Sequence, residues 1–246
     1  MGLQEITKSI LDVLFPPRPY CIVCSGRLKT GERFLCGECE KKIVAIEPPM
    51  CKKCGRPFWG RYDESGPFAS QFLCGDCRSK RHYFVEARSC GRYEGVLKHL
   101  IHEFKYRGRR DLSKYLGGRM VSTLKTLGWP EFDCAVPVPL HIKRERERGY
   151  NQAALLAGVL GREVNLPVCR ALVRVKPTEH QTFLDKACRE KNLTGAFAAA
   201  GGVNLKGKTV LLIDDVYTTG STADECSRSL LDAGAAKVFV LTCARG

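Results

Sequence analysis

The sequence predicts an α/β fold: a parallel sheet covered by helices, with a small cysteine-rich domain in front of it. Three observations carry that expectation. The first eight of the 14 cysteines fall into four Cys-x-x-Cys pairs, all before residue 80. The rest of the chain alternates helical periodicity with short, continuously apolar runs, the mark of strands buried on both faces. One such run, TVLLIDD (209–215), ends in two acids and enters a Thr/Gly/Ser turn before a helix.

The pairs are Cys21/Cys24, Cys36/Cys39, Cys51/Cys54 and Cys74/Cys77. A two-residue spacer lets both sulfurs of a tight turn face one ion, and two such turns complete a closed tetrahedral zinc site. Pairing in sequence order gives two zinc ribbons, over 21–39 and 51–77; the spacing alone also permits the crossed pairing. Redox dithiols and an iron–sulfur cluster are the competing readings. Four thiolates per ion leave no open coordination position, so two structural Zn²⁺ are expected. A segment this short and poor in apolar residues needs metal binding to fold. Residues 1–84 are assigned to an N-terminal helix and the double ribbon, and 85–246 to the α/β domain. Cys134 and Cys243 sit among apolar residues and read as core; Cys90 and Cys188 have charged neighbours and read as exposed.

Ile6, Ile10, Val13 and Leu14 share a helical face that Pro16, Pro17 and Pro19 terminate. Leu97, Leu100, Ile101 and Phe104 predict a helix over 94–106. Leu112, Leu116, Met120, Leu124 and Leu127 predict another over 111–127. DCAVPVPL reads as a buried strand ending in prolines, followed by a helix over 152–162 capped by Asn151. Short strands are expected at 168–175 and 196–199. The helix after TVLLIDD is placed at 223–233, with Thr222 and Glu225 as a capping box and Gly234 as its end. KVFVLTC closes the sheet.

The chain has 246 residues, 44% hydrophobic and 27% charged, which describes a globular protein and excludes a disordered or coiled-coil one. No apolar run reaches the length of a membrane span, so no membrane insertion is expected. The N-terminus carries Glu5 and Asp12 in its apolar stretch and does not read as a secretory signal. A cytoplasmic location, with reduced thiols, is expected.

Within LLIDDVYTTGST (211–222), Asp214 and Asp215 would stand at a strand's carboxyl end. Thr218, Thr219, Gly220, Ser221 and Thr222 would form a turn whose N–H groups, hydroxyls and helix N-terminus suit a dianionic phosphate. The carboxylates can accept hydrogen bonds from a vicinal diol. Phosphate plus diol describes a ribose 5-phosphate. The Walker A lysine of nucleotide triphosphatases is not in this string.

The string resembles the phosphoribosyl pyrophosphate (PRPP) signature of type I phosphoribosyltransferases. The resemblance widens with the double four-cysteine ribbon, GRYEGVLKHLIHEFKYRG (91–108), VPVPLHIKRERERGYNQA (136–153) and RVKPTEHQTFLDKACREKNLTGAF (174–197). Taken in this order, the segments resemble the ComF family of competence-associated proteins over nearly the whole chain. The resemblance implies a type I phosphoribosyltransferase fold, PRPP as ligand with Mg²⁺, and an association with DNA uptake in natural transformation. It also implies pyrophosphate contacts by Val138, Pro139 and Leu140, with Lys143, Arg144 and Arg148 close behind, where arginine suits bidentate phosphate binding. Arg146 in the same run reads as solvated. The stretch 174–192 would be the loop that closes over PRPP, with Arg174, Gln181, Arg189 and Asn192 as contacts. In an active enzyme Asp214 and Asp215 would hold the ribose while a nitrogen nucleophile displaces pyrophosphate. Hypoxanthine–guanine members carry an acid where this chain has Thr218, so purine recognition of that kind is not expected.

The formal net charge is +14. Residues 98–125 contain Lys98, Lys105, Arg107, Arg109, Arg110, Lys114, Arg119 and Lys125 against Glu103 and Asp111, with Tyr106 and Tyr115 among them. Such a stretch can track single-stranded DNA, or it can be a solvated helical pair whose charge attracts anionic PRPP. Two functions therefore stand side by side. One is a phosphoribosyltransferase with an unnamed acceptor. The other is a non-catalytic competence factor that handles single-stranded DNA and uses the fold to sense PRPP or bind nucleic acid. Competence-machinery proteins, such as a DNA-uptake helicase, are the implied protein partners. His99 and His102 read as surface residues.

Overall fold

The computed structural model describes residues 20–58, 72–176 and 193–246. The N-terminal helix expected over 5–14, Cys188 and the loop residues Gln181, Arg189 and Asn192 lie outside them.

Four strands form one parallel sheet in the order β1–β6–β5–β2: β1 (Ala87–Ser89), β2 (Cys134–Pro137), β5 (Thr209–Tyr217) and β6 (Lys237–Arg245). Val168 adds a single bridge beyond β2, at Ala135. The α/β class with a parallel sheet, led by two cysteine modules, is therefore as expected. The stretch 168–175 is not one strand. The chain leaves the parallel sheet after Cys169, and β3 (Leu172–Arg174) instead pairs antiparallel with β4 (Phe197–Ala199) as a separate two-stranded unit.

Apolar residues on both faces of β5 and β6 build two cores. Leu211, Ile213, Phe239 and Leu241 face α3 (Gly95–Tyr106), α4 (Leu112–Thr126) and α6 (Gln152–Glu163). Val210, Leu212, Val238 and Val240 face α7 (Ser221–Asp232) and the β3–β4 pair. The predicted stripe of α3 is buried in full, as are Leu112, Leu116 and Met120 of α4. Helices α4 and α6 touch closely at Gly117, where a Cβ would come within 2.7 Å of Val159. Asn151 caps α6 through a 3.1 Å bond from the Ala154 amide. Cys134 and Cys243 are core residues. Cys90 is buried too, contrary to expectation, because it follows β1 and its thiol donates to the Thr242 carbonyl.

The cysteine modules pack one on each side of the sheet. Cys21, Phe34, Leu35, Cys39 and Ile43 join the first core, whereas Cys51, Cys54, Cys74 and Cys77 join the second. Short helices α1 (Gly37–Glu40) and α2 (Gly75–Ser79) carry the second pair of each module.

Candidate functional site

The cysteines gather in sequence order: Cys21, Cys24, Cys36 and Cys39 in one cluster, Cys51, Cys54, Cys74 and Cys77 in the other. In each, every sulfur lies within 4.8 Å of the other three. Cys24 and Cys36 sulfurs are 3.6 Å apart, and Cys54 and Cys74 sulfurs 3.7 Å. A tetrahedral ion with Zn–S bonds of about 2.3 Å requires sulfurs about 3.8 Å apart. The thiols thus fit a closed zinc site, and the crossed pairing is ruled out.

A cavity of about 350 Å³ opens at the carboxyl end of the sheet. Among the expected site residues, Asp214, Asp215, Thr218, Gly220, Thr222, Val138, Pro139, Leu140, Arg144 and Arg148 line it. Strand β5 does not stop at the acids but runs two residues further, paired to β6 as far as Tyr217–Arg245. Helix α7 also starts earlier than expected. Gly220, at φ +84°, precedes its first residue, so Thr222 lies inside the first turn and no capping box forms. Glu225 accepts instead from the Gly195 amide and pairs with Arg228. The early start leaves the Thr222 side chain at the cavity instead of on a cap. A side chain at Gly220 would overlap the Tyr217 hydroxyl, so glycine is required by both space and backbone. Thr219 and Ser221 are not at the cavity wall; their hydroxyls bond each other at 2.9 Å.

On the opposite wall the basic run is a helix, α5 (Ile142–Arg148). Arg144 and Arg148, four apart, share a face toward the cavity, while Lys143 and Arg146 do not line it. Asn151 Nδ2 donates to the Val138 carbonyl at 3.1 Å, which ties the residues after β2 to the cap of α6. Arg174 reaches the cavity from β3, where burial and then the like charge of Arg144 lower its hold on its proton.

Sequence reasoning missed Lys105, Tyr93, Tyr106, Tyr217 and Thr242, all of which line the cavity. Lys105 Nζ lies 2.7 Å from Asp215 Oδ1. Burial opposes the Lys105 charge, but the Asp215 carboxylate outweighs it and the ammonium sits above its ordinary range. Burial, then the adjoining Asp215 charge, push the Asp214 carboxyl up to about 7. Asp214 Oδ1 accepts from the Asp215 amide at 2.8 Å.

The basic stretch 98–125 is not one surface. Lys105 serves the cavity, Arg109 pairs with Asp111, Arg110 donates to the Gly149 carbonyl, and Arg119 binds Glu40 of the first cysteine module at 2.6 Å. Tyr115 is spent on the same Glu40. Lys98, over the Tyr93 ring, and Arg107, Lys114 and Lys125 remain exposed. His99 and His102 are at the surface, as expected.

Residues 10–78 match the family model described as a double zinc ribbon domain. The chain is 35% identical to competence protein F of Haemophilus influenzae, over 92% of this chain and 96% of that protein. It is 31% identical to the DNA utilization protein YhgH of Escherichia coli K12, over 89% and 94%. It is also 31% identical to competence protein ComFC of Bacillus subtilis, over 85% and 82%. Similar solved structures include an amidotransferase and several phosphoribosyltransferases. A glutamine PRPP amidotransferase from B. subtilis is 23% identical at a TM-score of 0.38, over 56% of this chain and 30% of that one. The adenine phosphoribosyltransferase of Leishmania tarentolae is 20% identical at 0.32, over 52% and 54%. Those two likenesses are too slight to bear on function. Identity near a third along almost the whole length of the curated relatives is decisive, and the chain belongs to the ComF family.

Proposed function

We propose that this cavity binds PRPP together with Mg²⁺, and that the protein is a phosphoribosyltransferase-family member serving DNA uptake in the cytoplasm. One observation carries the reading: the acid pair on β5, the turn into α7 and the guanidinium face of α5 converge on one cavity. The turn and the α7 N-terminus receive the 5-phosphate. Asp214 and Asp215 accept hydrogen bonds from the ribose hydroxyls. Arg144, Arg148 and the backbone of Val138–Leu140 take the pyrophosphate, with Arg174 adding charge from β3. Mutual repulsion between Arg144 and Arg174 is relieved by an anion between them.

The donors suit a magnesium ion that arrives with its ligand. Asp215 is already engaged by Lys105, so this wall offers Asp214 and no all-protein cage. Mg²⁺ is commonly held by one or two carboxylates plus ligand phosphates. When bound, it neutralises the departing pyrophosphate. The chain's own part is positioning and electrostatics: Asp215, fixed by Lys105, orients the ribose, and the arginines stabilise charge on the leaving group.

The DNA association is supported by the names of the curated relatives, which are competence and DNA utilization proteins. Lys98, Arg107, Lys114 and Lys125 are the exposed cations that the stretch 98–125 keeps for a nucleic-acid strand. In this reading residues 1–84 form the ribbon part and 85–246 the ligand-binding part, with each ribbon packed on one face of the sheet.

Thermal unfolding of the zinc-loaded protein tests the ligand assignment. PRPP with Mg²⁺ raises Tm in the parent, as binding to the native state requires, and leaves the Asp214→Ala/Asp215→Ala variant unchanged. Equal shifts in both proteins would remove the acids from the site.

A further inference from the structure

Two sets of contacts join the second cysteine cluster to the phosphate-binding turn. The first runs through Arg245, the last residue of β6, which is buried although charged. Its Nη1 donates to the Cys54 carbonyl at 2.6 Å and its Nη2 reaches the Cys54 sulfur at 3.4 Å. The same guanidinium lies over the Tyr217 ring, 4.5 Å from its centre. Tyr217 is the cross-strand partner of Arg245, and its hydroxyl fills the space beside Gly220 where a Cβ would stand. One guanidinium and one ring therefore span the distance from a metal-ligating cysteine to the glycine of the turn.

The second set meets the first turn of α7. Asp224, buried, accepts from the Tyr83 amide at 2.8 Å and lies 3.3 Å from His82 Nδ1 and 3.6 Å from Lys80 Nζ. Those three residues leave the second cluster directly after Cys77. The side-chain ties of the first module run to α3 and α4, from Glu40 to Arg119 and Tyr115 and from the Ile22 carbonyl to His99, while the Val44 carbonyl accepts from the Arg92 amide.

Four thiolates around a divalent ion carry a net charge of about −2, and a hydrogen bond to one sulfur stabilises both the cluster and its donor. Without the ion, Cys54 loses the coordination that fixes it, and the buried Arg245 loses its anchor on the Cys54 carbonyl and sulfur. The side chain then relaxes, Tyr217 loses its cation, and the Gly220 turn loses the ring beneath it.

We propose that Arg245 is a positioning residue for the phosphate-binding turn, and that zinc in the second cluster, acting through Arg245 and Tyr217, holds that turn ready for its ligand. This rests on reading the turn as the phosphate site. Linkage makes the effect reciprocal: ligand at the turn slows loss of zinc from the second cluster.

Amide hydrogen exchange across 217–223 tests it in the full-length, zinc-loaded protein. The parent is compared with Arg245→Met and with Arg119→Met, which cuts a tie of the first ribbon. Exchange in 217–223 is expected to accelerate about 10-fold in Arg245→Met and not in Arg119→Met. Affinity for PRPP with Mg²⁺ should fall by a similar factor in the first variant alone. If Arg245→Met does not fold, Arg245→Lys, which keeps the charge but loses the planar fork, replaces it with the same expectation. Unchanged exchange in the folded Arg245 variant, or equal acceleration in Arg119→Met, overturns the proposal. Accelerated exchange in a protein whose parent does not bind PRPP would leave the coupling standing and sink the ligand assignment alone.

Discussion

Lys105 Nζ and Asp215 Oδ1 meet 2.7 Å apart in the cavity, the one from a helix and the other from the central strand. The pair divides the work of two adjoining acids. Asp215 is fixed by its cation, while Asp214, pushed up to about 7 by burial and by Asp215, holds a proton more readily. Replacing Lys105 by Met removes the cation and leaves two carboxylates close together in a buried site. Loss of about 3 kcal/mol is expected at pH 8. Lys105 stays charged from pH 5 to 8, so the deficit should shrink at pH 5, where Asp214 and not the lysine takes up a proton. Urea unfolding at the two pH values measures it.

Asp214→Asn should act in the opposite direction on the ligand-free protein. With a raised native pKa, Asp214 binds more protons folded than unfolded between about pH 4 and 7, so it makes stability fall as pH rises through that window. The asparagine variant lacks this slope. Its advantage should grow from near zero at pH 4 to about 1–3 kcal/mol above pH 7, while its affinity for PRPP drops. Unfolding curves at pH 5 and 8 give the comparison.

Gly220→Ala should cost about 1–3 kcal/mol, since a side chain must take φ +84° and displace the Tyr217 hydroxyl. Tyr217→Phe deletes that hydroxyl. In a double-mutant cycle the pair should be non-additive, with Gly220→Ala costing less in the Tyr217→Phe background than in the parent.

Much of this is legible in the sequence, and the failures have physical causes. Cys-x-x-Cys spacing is local geometry, so both clusters can be read, and the buried run of β5 with its acids is contiguous in sequence. Lys105 reads with the surface because its neighbours are basic. Its signal is there in the helical period: Leu97, Ile101 and Lys105 are spaced by four, which puts the lysine on the buried stripe. Arg119 and Tyr115 mislead for a different reason. Their partner, Glu40, is about 75 residues away in another module, and no local pattern reports it. The start of α7 is misplaced because Thr222 and Glu225 have capping-box spacing. The turn overrides it by beginning the helix at Ser221, and Glu225 finds the Gly195 amide.

The face of α5 makes a prediction for the arginines. Arg144→Ala and Arg148→Ala should each weaken pyrophosphate binding about 10-fold or more, the range for a charge-assisted contact. Lys143→Ala and Arg146→Ala should leave it near the parent value. Calorimetric titration with pyrophosphate and Mg²⁺ separates the two pairs.

Metal analysis should return two zinc ions per chain. Because the clusters pack on opposite faces of the sheet, each belongs to a different core, and stripping both with a chelator should melt tertiary structure on both sides. Near-ultraviolet circular dichroism, which reports packing around Phe84, Tyr115 and Tyr217, follows the loss.

PRPP is proposed to bind in the cavity between β5, α5 and α7. Calorimetric titration of PRPP with Mg²⁺ into the zinc-loaded parent and into Asp214→Ala/Asp215→Ala decides it most directly. Saturable binding at one site per chain in the parent, lost in the variant, is the predicted result. No heat of binding in a folded, zinc-loaded parent would contradict the account.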